Sequence, residues 1–181
     1  MSQEKIVYTY LDSFVGKILI AQNEMGVKTI WFMEGTKTRA PESGWHHEKK
    51  LKTQAVRQLR AYLNGELREF DLTLLLEGTP FQKEVWNALQ QIPYGETVSY
   101  GDIAKWIGRP KAVRAVGGAN GKNHIPIVIP CHRVIGSSGH LTGFGSGIDI
   151  KVALLKHELK YSGKTAVKTW KDSQQTSTKG G

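Results

Sequence analysis

Cysteine is almost missing from this 181-residue chain; the only one is Cys131. A single thiol excludes an internal disulfide and cannot supply a cysteine-rich zinc cage, so no metal is expected. No apolar run reaches the length a bilayer requires, and the opening MSQEKIVY lacks the basic-then-apolar layout of a secretory leader. These absences lead us to expect a cytoplasmic protein with no membrane partner, kept where thiols stay reduced. There is no internal repeat. The glycines at 143, 145 and 147 follow no strand-to-helix pattern with a downstream lysine, which excludes a phosphate-cradling loop. No cofactor is implied.

What the chain does contain is a globular composition, 39% hydrophobic with five tryptophans, and a length that suits one or two small domains. Its net charge is +9, unevenly spread: +1 over residues 1–80, +5 over 81–160 and +3 over 161–181. The excess sits in the half that holds the cysteine. A polyanionic partner such as nucleic acid fits this distribution, and so does a basic surface kept for solubility.

The runs KIVYTYL, GKILIA and VKTIWF are rich in strand-forming residues and are separated by DSFVG and NEMG, so an antiparallel meander is expected. Leu51, Ala55, Leu59 and Leu63 recur at helical spacing before the Asn64-Gly65 stop, and FDLTLLL suits one more strand. His46 and His47 are adjacent and lack partners, which marks them as surface residues. This half reads as a β-rich scaffold domain, residues 1–78, with one helix.

A second domain, 79–160, is mostly helical, giving an α/β (α+β) chain overall. Thr79-Pro80-Phe81-Gln82 places a cap, a first-turn proline and a capping-box glutamine in order. Phe81, Val85 and Leu89 then share a face. Ser99 and Asp102 form a second capping box that opens YGDIAKWIG, and Pro110 is expected to begin the next helix through KAVRAVGGANGK. The pair has the form of a helix-turn-helix, with Ile103, Ala104 and Ile107 facing Val113 and Val116. Lys111 and Arg114 stand among bulk-free positions, which suits a helix pressed against a nucleic-acid backbone. A last helix spans roughly 149–160, and residues 161–181, polar and small, suggest a flexible tail.

Cys131 follows the apolar IPIVIP run and precedes His132. Free cysteine is often just a small buried hydrophobe. Beside a histidine or a positive environment, however, it becomes a thiolate and a strong nucleophile. Neighbours in an extended chain point apart, so contact between the two side chains needs a turn or a bridging water. Glu158 lies one turn beyond Leu154 and Leu155, on their inward face, and could orient His132 as a third member. An ordinary surface glutamate fits the spacing equally well.

FQKEVWNALQQIPYGETVSYGDIA, RAVGGAN, NHIPIVIPCHRVI and the closing K-x-x-LL-x-x-E, about residues 79 to 160, resemble the O6-alkylguanine-DNA alkyltransferases, the methylated-DNA–protein-cysteine methyltransferases. YLDSFVGKILIA is more loosely similar to that family's small β-rich domain. The resemblance implies a monomeric repair protein that flips O6-alkylguanine out of double-stranded DNA. It would move the alkyl group, once and irreversibly, to its own cysteine, with O4-alkylthymine as a further candidate lesion. Cys131 would be the acceptor, His132 a base acting through a water, and Glu158 its support. Tyr100 would donate a proton to the departing guanine, and Asn123 would brace the active-site turn. Arg114 would fill the gap left in the base stack, with Lys111, Ala115 and Gly118 completing the DNA-binding surface. Val134 and Gly145 would read the guanine edge, beside Phe144 and Lys151 in the base pocket.

The chain departs from the family pattern in places. His124 replaces a proline ahead of PCHRV, which is expected to loosen a stiff turn and bring a titratable ring toward the site. SFVG stands for the more usual serine-proline, and Phe144 for a tyrosine. Two other readings remain: a lesion-binding protein that grips alkylated DNA without repairing it, against which Cys131 argues, and an unrelated Cys-His hydrolase, for which no oxyanion element is visible.

Overall fold

A computed structural model of the chain describes residues 4–35, 39–141 and 144–164. It divides into two compact units. The first is Met1–Glu77 together with His124–Pro126, and the second is Gly78–Asn123 together with the chain from Ile127 on.

In the first unit the expected meander forms as β1 (Val7–Ser13), β2 (Gly16–Asn23) and β3 (Gly26–Phe32), all antiparallel. A short β4, His46–His47, runs parallel to β1 and completes the sheet order β3-β2-β1-β4. Both histidines are exposed, as expected, but His47 does have a partner: its ring stacks on Tyr8 at 4.9 Å. Helix α1 (Gln54–Leu63) is capped by Thr53, whose side chain accepts from Val56 N, and it buries Ala55, Val56, Leu59 and Tyr62. Leu51 lies ahead of the helix.

The strand expected at FDLTLLL is reduced to one bridge, Leu74 against Val27. The outer edge of β3 is shared, which explains the shortfall. Val27 pairs with Thr73 and Leu75, while Ile30 N donates to His124 O at 3.0 Å and Thr29 Oγ1 to the same carbonyl at 2.6 Å. Two segments cover an edge that would otherwise be open. His124 is anchored on both its carbonyl and its ring. Its ring Nε2 donates to Leu75 O at 3.1 Å, so the imidazole is engaged within the first unit.

The second unit is built on two complete capping boxes, both as expected. Thr79 with Gln82 starts α2 (Pro80–Leu89), and Ser99 with Asp102 starts α3 (Tyr100–Trp106). On α2 the buried residues are Val85, Trp86 and Leu89, and Phe81 is only half-buried. Trp86 Nε1 donates to Ala119 O at 2.9 Å, tying α2 to α4 (Val113–Gly121). This last helix begins later than the sequence suggests. Ala112 N donates to Arg109 O at 2.9 Å, so Pro110 occupies the second position of a tight turn instead of the first turn of a helix. Lys111 consequently lies in the turn, not on α4. Ile103, Ala104 and Val116 close the helix-turn-helix core, whereas Val113 is 41% exposed at the helix start.

Two short strands, β5 (Val98–Ser99) and β6 (Val134–Ile135), pair in parallel, and α5 (Ile148–Ser162) follows. Helix α5 runs slightly past its expected end and stops at Gly163, whose φ of 73° favours glycine. The expected flexible tail lies, from residue 165 on, outside the described residues. No helix among the described residues is long and apolar enough to cross a membrane.

Candidate active site

The local chain around Cys131 is bent, not extended. Pro130 at φ −80° and ψ 64° makes an inverse γ-turn, closed by Cys131 N donating to Ile129 O at 2.8 Å. A single 3₁₀ turn, Cys131–Arg133, follows directly. Upstream, buried Ile127 has φ 74°, a conformation β-branched residues rarely adopt, which costs about 1–3 kcal/mol. Asn123 Nδ2 spans this strained turn and donates to Ile129 O at 2.8 Å.

His132 is turned toward α5, where its Nε2 lies 2.7 Å from Glu158 Oε1, both side chains being fully buried. A carboxylate can only accept, so Nε2 carries the proton and Nδ1 presents its lone pair. Nδ1 is buried and meets no hydrogen-bonding partner among the described residues. Glu158 is no surface glutamate. Arg133 forks onto it, Nε to Oε2 at 2.9 Å and Nη2 to Oε1 at 2.8 Å, while Gly95 N donates to Oε2 at 3.2 Å. Gly95 is needed there, because at φ 74° a Cβ would lie 2.7 Å from Ser162 Cβ. Arg133 also donates Nη1 to Ile92 O at 2.7 Å and sits 5.6 Å from the Tyr94 ring centroid.

Burial alone would push the Glu158 carboxyl up, but the hydrogen bond from His132 and the charge and hydrogen bonds of Arg133 outweigh it and hold it below the usual range. Burial likewise keeps His132 below its ordinary value, against the pull of Glu158, so the ring is neutral at pH 7. Burial also raises the Cys131 thiol. Working the other way are the Asn123 side chain, the charge of Lys151, and the N–H groups of Cys131 and His132. The sulfur is therefore held as a thiol in surroundings prepared for a thiolate. Lys151, fully buried, donates Nζ to Val134 O at 2.5 Å and lies 6.0 Å from the Phe144 ring centroid. Its own pKa is pushed down to about 8 by burial, partly opposed by Cys131.

Tyr100 opens α3 and packs toward Gly117 of α4, where a Cβ would stand 3.9 Å from Tyr100 Cδ1. Burial raises its hydroxyl pKa, and the Cys131 sulfur adds to this, so the phenol keeps its proton near the thiol. Arg114, Ala115 and Gly118 are exposed on α4, with Lys111 exposed in the preceding turn. Arg109 is drawn instead to Glu84 of α2 at 3.2 Å. Gly145 and Phe144 are half-buried ahead of α5, and Val134 is buried in β6. The structure thus brings Cys131, His132, Glu158, Asn123, Tyr100, Val134 and Lys151 into one unit. Sequence reasoning gave no role to Arg133, Gly95 or Asn120. Arg133 stood in the quoted PCHRV motif, but its partner lies 25 residues away. Among the described residues no three His, Cys, Asp or Glu side chains group so as to hold a metal.

Fold and site together define a DNA-binding protein whose helix-turn-helix shares a unit with a buried cysteine backed by a His–Glu–Arg network. Two family models match: "6-O-methylguanine DNA methyltransferase, DNA binding domain" over residues 80–160, and "6-O-methylguanine DNA methyltransferase, ribonuclease-like domain" over residues 6–76. The methylated-DNA–protein-cysteine methyltransferase of Methanosarcina acetivorans is 54% identical over 151 residues, 83% of this chain and 97% of that relative. The protein of that name from Mycolicibacterium paratuberculosis is 49% identical over 157 residues, 87% of this chain and 94% of its own. The crystal structure of the Mycobacterium tuberculosis O6-methylguanine methyltransferase superposes with a TM-score of 0.79 at 48% identity, covering 86% of this chain and 94% of that one. The Mycobacterium tuberculosis protein in complex with DNA gives the same TM-score, 0.79, at 47% identity, covering 90% and 96%. The chain belongs to the 6-O-methylguanine DNA methyltransferase family.

Proposed function

We propose that this chain repairs DNA by moving the alkyl group of O6-alkylguanine in a duplex to Cys131, once per molecule. The observation that supports the reading most is the single buried thiol beside a neutral histidine whose far nitrogen is fixed by an ionised, doubly forked glutamate. The target carbon is unreachable in stacked DNA, so the base must be extruded at a cost of a few kcal/mol. Arg114, exposed on α4, would enter the vacated stack. Lys111 and its basic neighbours supply phosphate contacts independent of sequence, a property that lesions in any context require.

In the transfer, the thiol proton passes through a water to His132 Nδ1, and the new imidazolium is stabilised by Glu158. Sulfur attacks the alkyl carbon in line, the S–C bond forms and the C–O6 bond breaks, and the electron pair goes to the purine. Tyr100 delivers the proton that makes the leaving group a neutral guanine, and it regains one from His132 by way of solvent. The Val134 carbonyl and Gly145 backbone read the guanine edge, with Phe144 limiting the alkyl size. The product is a thioether with no leaving path, so activity is stoichiometric. The protein acts as a monomer in the cytoplasm on damaged double-stranded DNA.

The test is intact mass and peptide mapping after incubation with a duplex carrying one O6-methylguanine. One added methyl on the Cys131 peptide, stopping at one equivalent, is expected. Cys131→Ser should bind the lesion and gain nothing. Tight binding by the unaltered protein with no mass change would overturn the reading in favour of a lesion binder that does no chemistry.

A further inference from the structure

Asn120 carries an expense that the roles above do not explain. It lies on α4, the helix that also bears Arg114, and is only 3% exposed. Its Nδ2 points at the carbonyl of Cys131 over 3.5 Å, the outer limit of a hydrogen bond. That carbonyl already accepts from Val134 N, so it does not depend on Asn120. At the other end of the amide, Oδ1 is buried and meets no donor among the described residues. Exchanging the amide's ends would set oxygen against oxygen at Cys131, so the orientation is fixed by its surroundings. A buried polar group so poorly satisfied costs stability, and an apolar side chain of the same size would avoid that cost.

A second buried acceptor without a donor among the described residues is His132 Nδ1, on the residue that follows the Cys131 carbonyl faced by Asn120. Both atoms are acceptors, and both are closed off from solvent. An enclosed oxygen is badly placed to read an incoming base but well placed to hold something internal. A single water touching Cys131 Sγ, His132 Nδ1 and Asn120 Oδ1 has three polar partners, within the usual range for a buried water. It would accept the thiol hydrogen and donate one hydrogen to each of these two acceptors, so both would be satisfied.

We infer that Asn120 is a positioning residue for proton removal from Cys131: its Oδ1 holds the relay water in line between the thiol and His132 Nδ1. The inference rests on the alkyl-transfer reading. It also places the relay's anchor on the helix that docks on DNA, so the alignment of the relay depends on how α4 sits against the Cys131 turn.

The experiment compares the unaltered protein with Asn120→Leu and Asn120→Ser, measuring single-turnover methyl transfer at saturating O6-methylguanine duplex, the half-saturating DNA concentration, and thermal unfolding. Leucine removes the acceptor but fills the space; serine keeps an acceptor but leaves a gap. The rate at saturation should fall at least tenfold for Asn120→Leu and less for Asn120→Ser, with half-saturation unchanged within twofold. Unfolding should rank the other way, Asn120→Leu being as stable as the unaltered protein or more so, and Asn120→Ser less stable. Rates that track stability, or an Asn120→Leu protein that transfers at the unaltered rate, overturn the inference. Failure of the unaltered protein to transfer at all would instead overturn the function on which it rests.

Discussion

Replacing Glu158 by glutamine tests the network behind the nucleophile. The substitution keeps the shape of the side chain but removes its charge, leaving the Arg133 guanidinium buried opposite a neutral amide. It also forces a conflict, because His132 and the two Arg133 nitrogens all donate to oxygens of Glu158 at 2.7–2.9 Å, and a glutamine has only one acceptor. Breaking a buried ion pair from one side costs on the order of 3–5 kcal/mol. For a chain of this size that lowers Tm by roughly 6–20 °C. The pH dependence carries a distinct sign. The folded carboxyl is held below its ordinary value, so its contribution is complete above the unfolded pKa of about 4.3 and is lost as pH falls through the folded value. Glutamine does not titrate. Urea unfolding of both proteins from pH 7 to pH 3 should therefore show a gap that is constant down to about pH 5 and then narrows. His132, kept neutral by burial, weakens both proteins below pH 6.5 and largely cancels in the comparison. A gap under about 1 kcal/mol at pH 7, or one that does not narrow in acid, would refute the assignment of Glu158 as an ionised, doubly held carboxylate.

Three further outcomes are expected. Tyr100→Phe should slow methyl transfer about 10²–10⁴-fold, the usual range for losing a positioned proton donor, while lesion binding measured by fluorescence anisotropy stays within threefold. Arg114→Ala should slow repair in duplex far more than reaction with free O6-methylguanine base; equal slowing of both would remove its role in base extrusion. Lys151→Met should be more stable at pH 7, because the fall of the lysine pKa from 10.5 to about 8 amounts to a burial cost of about 3 kcal/mol, less about 1 for the donor lost at Val134 O. Since the unfolded lysine holds its proton up to about pH 10.5, the unaltered protein gains stability from pH 8 upward and the advantage of Lys151→Met should shrink there, as urea midpoints would show.

What could be read from the sequence was local. Both capping boxes need only residues three apart, and both form at Thr79 and Ser99. Leu154 and Leu155 one turn earlier made an inward Glu158 one of two equal readings, and the structure buries it. Its partners were not legible, because Gly95 and Arg133 reach it from 63 and 25 residues away, and nothing in a linear pattern states which carbonyls or carboxylates a buried arginine will meet. Pro110 misled for a different reason. Proline suits both the first turn of a helix and the second position of a tight turn, and only the Ala112–Arg109 hydrogen bond separates the two. FDLTLLL has strand chemistry, but which segment occupies the edge of β3 is decided by competition with residue 124, far along the chain.

The arrangement of charge explains how a buried cysteine can be both inert at rest and ready to react. Glu158 is fully taken up by Arg133, Gly95 and His132, so its negative charge bears on the histidine and not on the sulfur. Lys151 is held by a neutral carbonyl, Val134 O, and so its positive charge remains directed at Cys131. Burial nevertheless keeps the proton on sulfur, which protects the only nucleophile from stray electrophiles between encounters. Once the proton can leave toward His132, the donors already in place, Asn123, Lys151 and two backbone N–H groups, favour the thiolate without rearranging. On the proposed mechanism the chemistry would then be gated by alignment of the proton path, so that Glu158 and Asn120 are expected to matter although neither takes up the alkyl group.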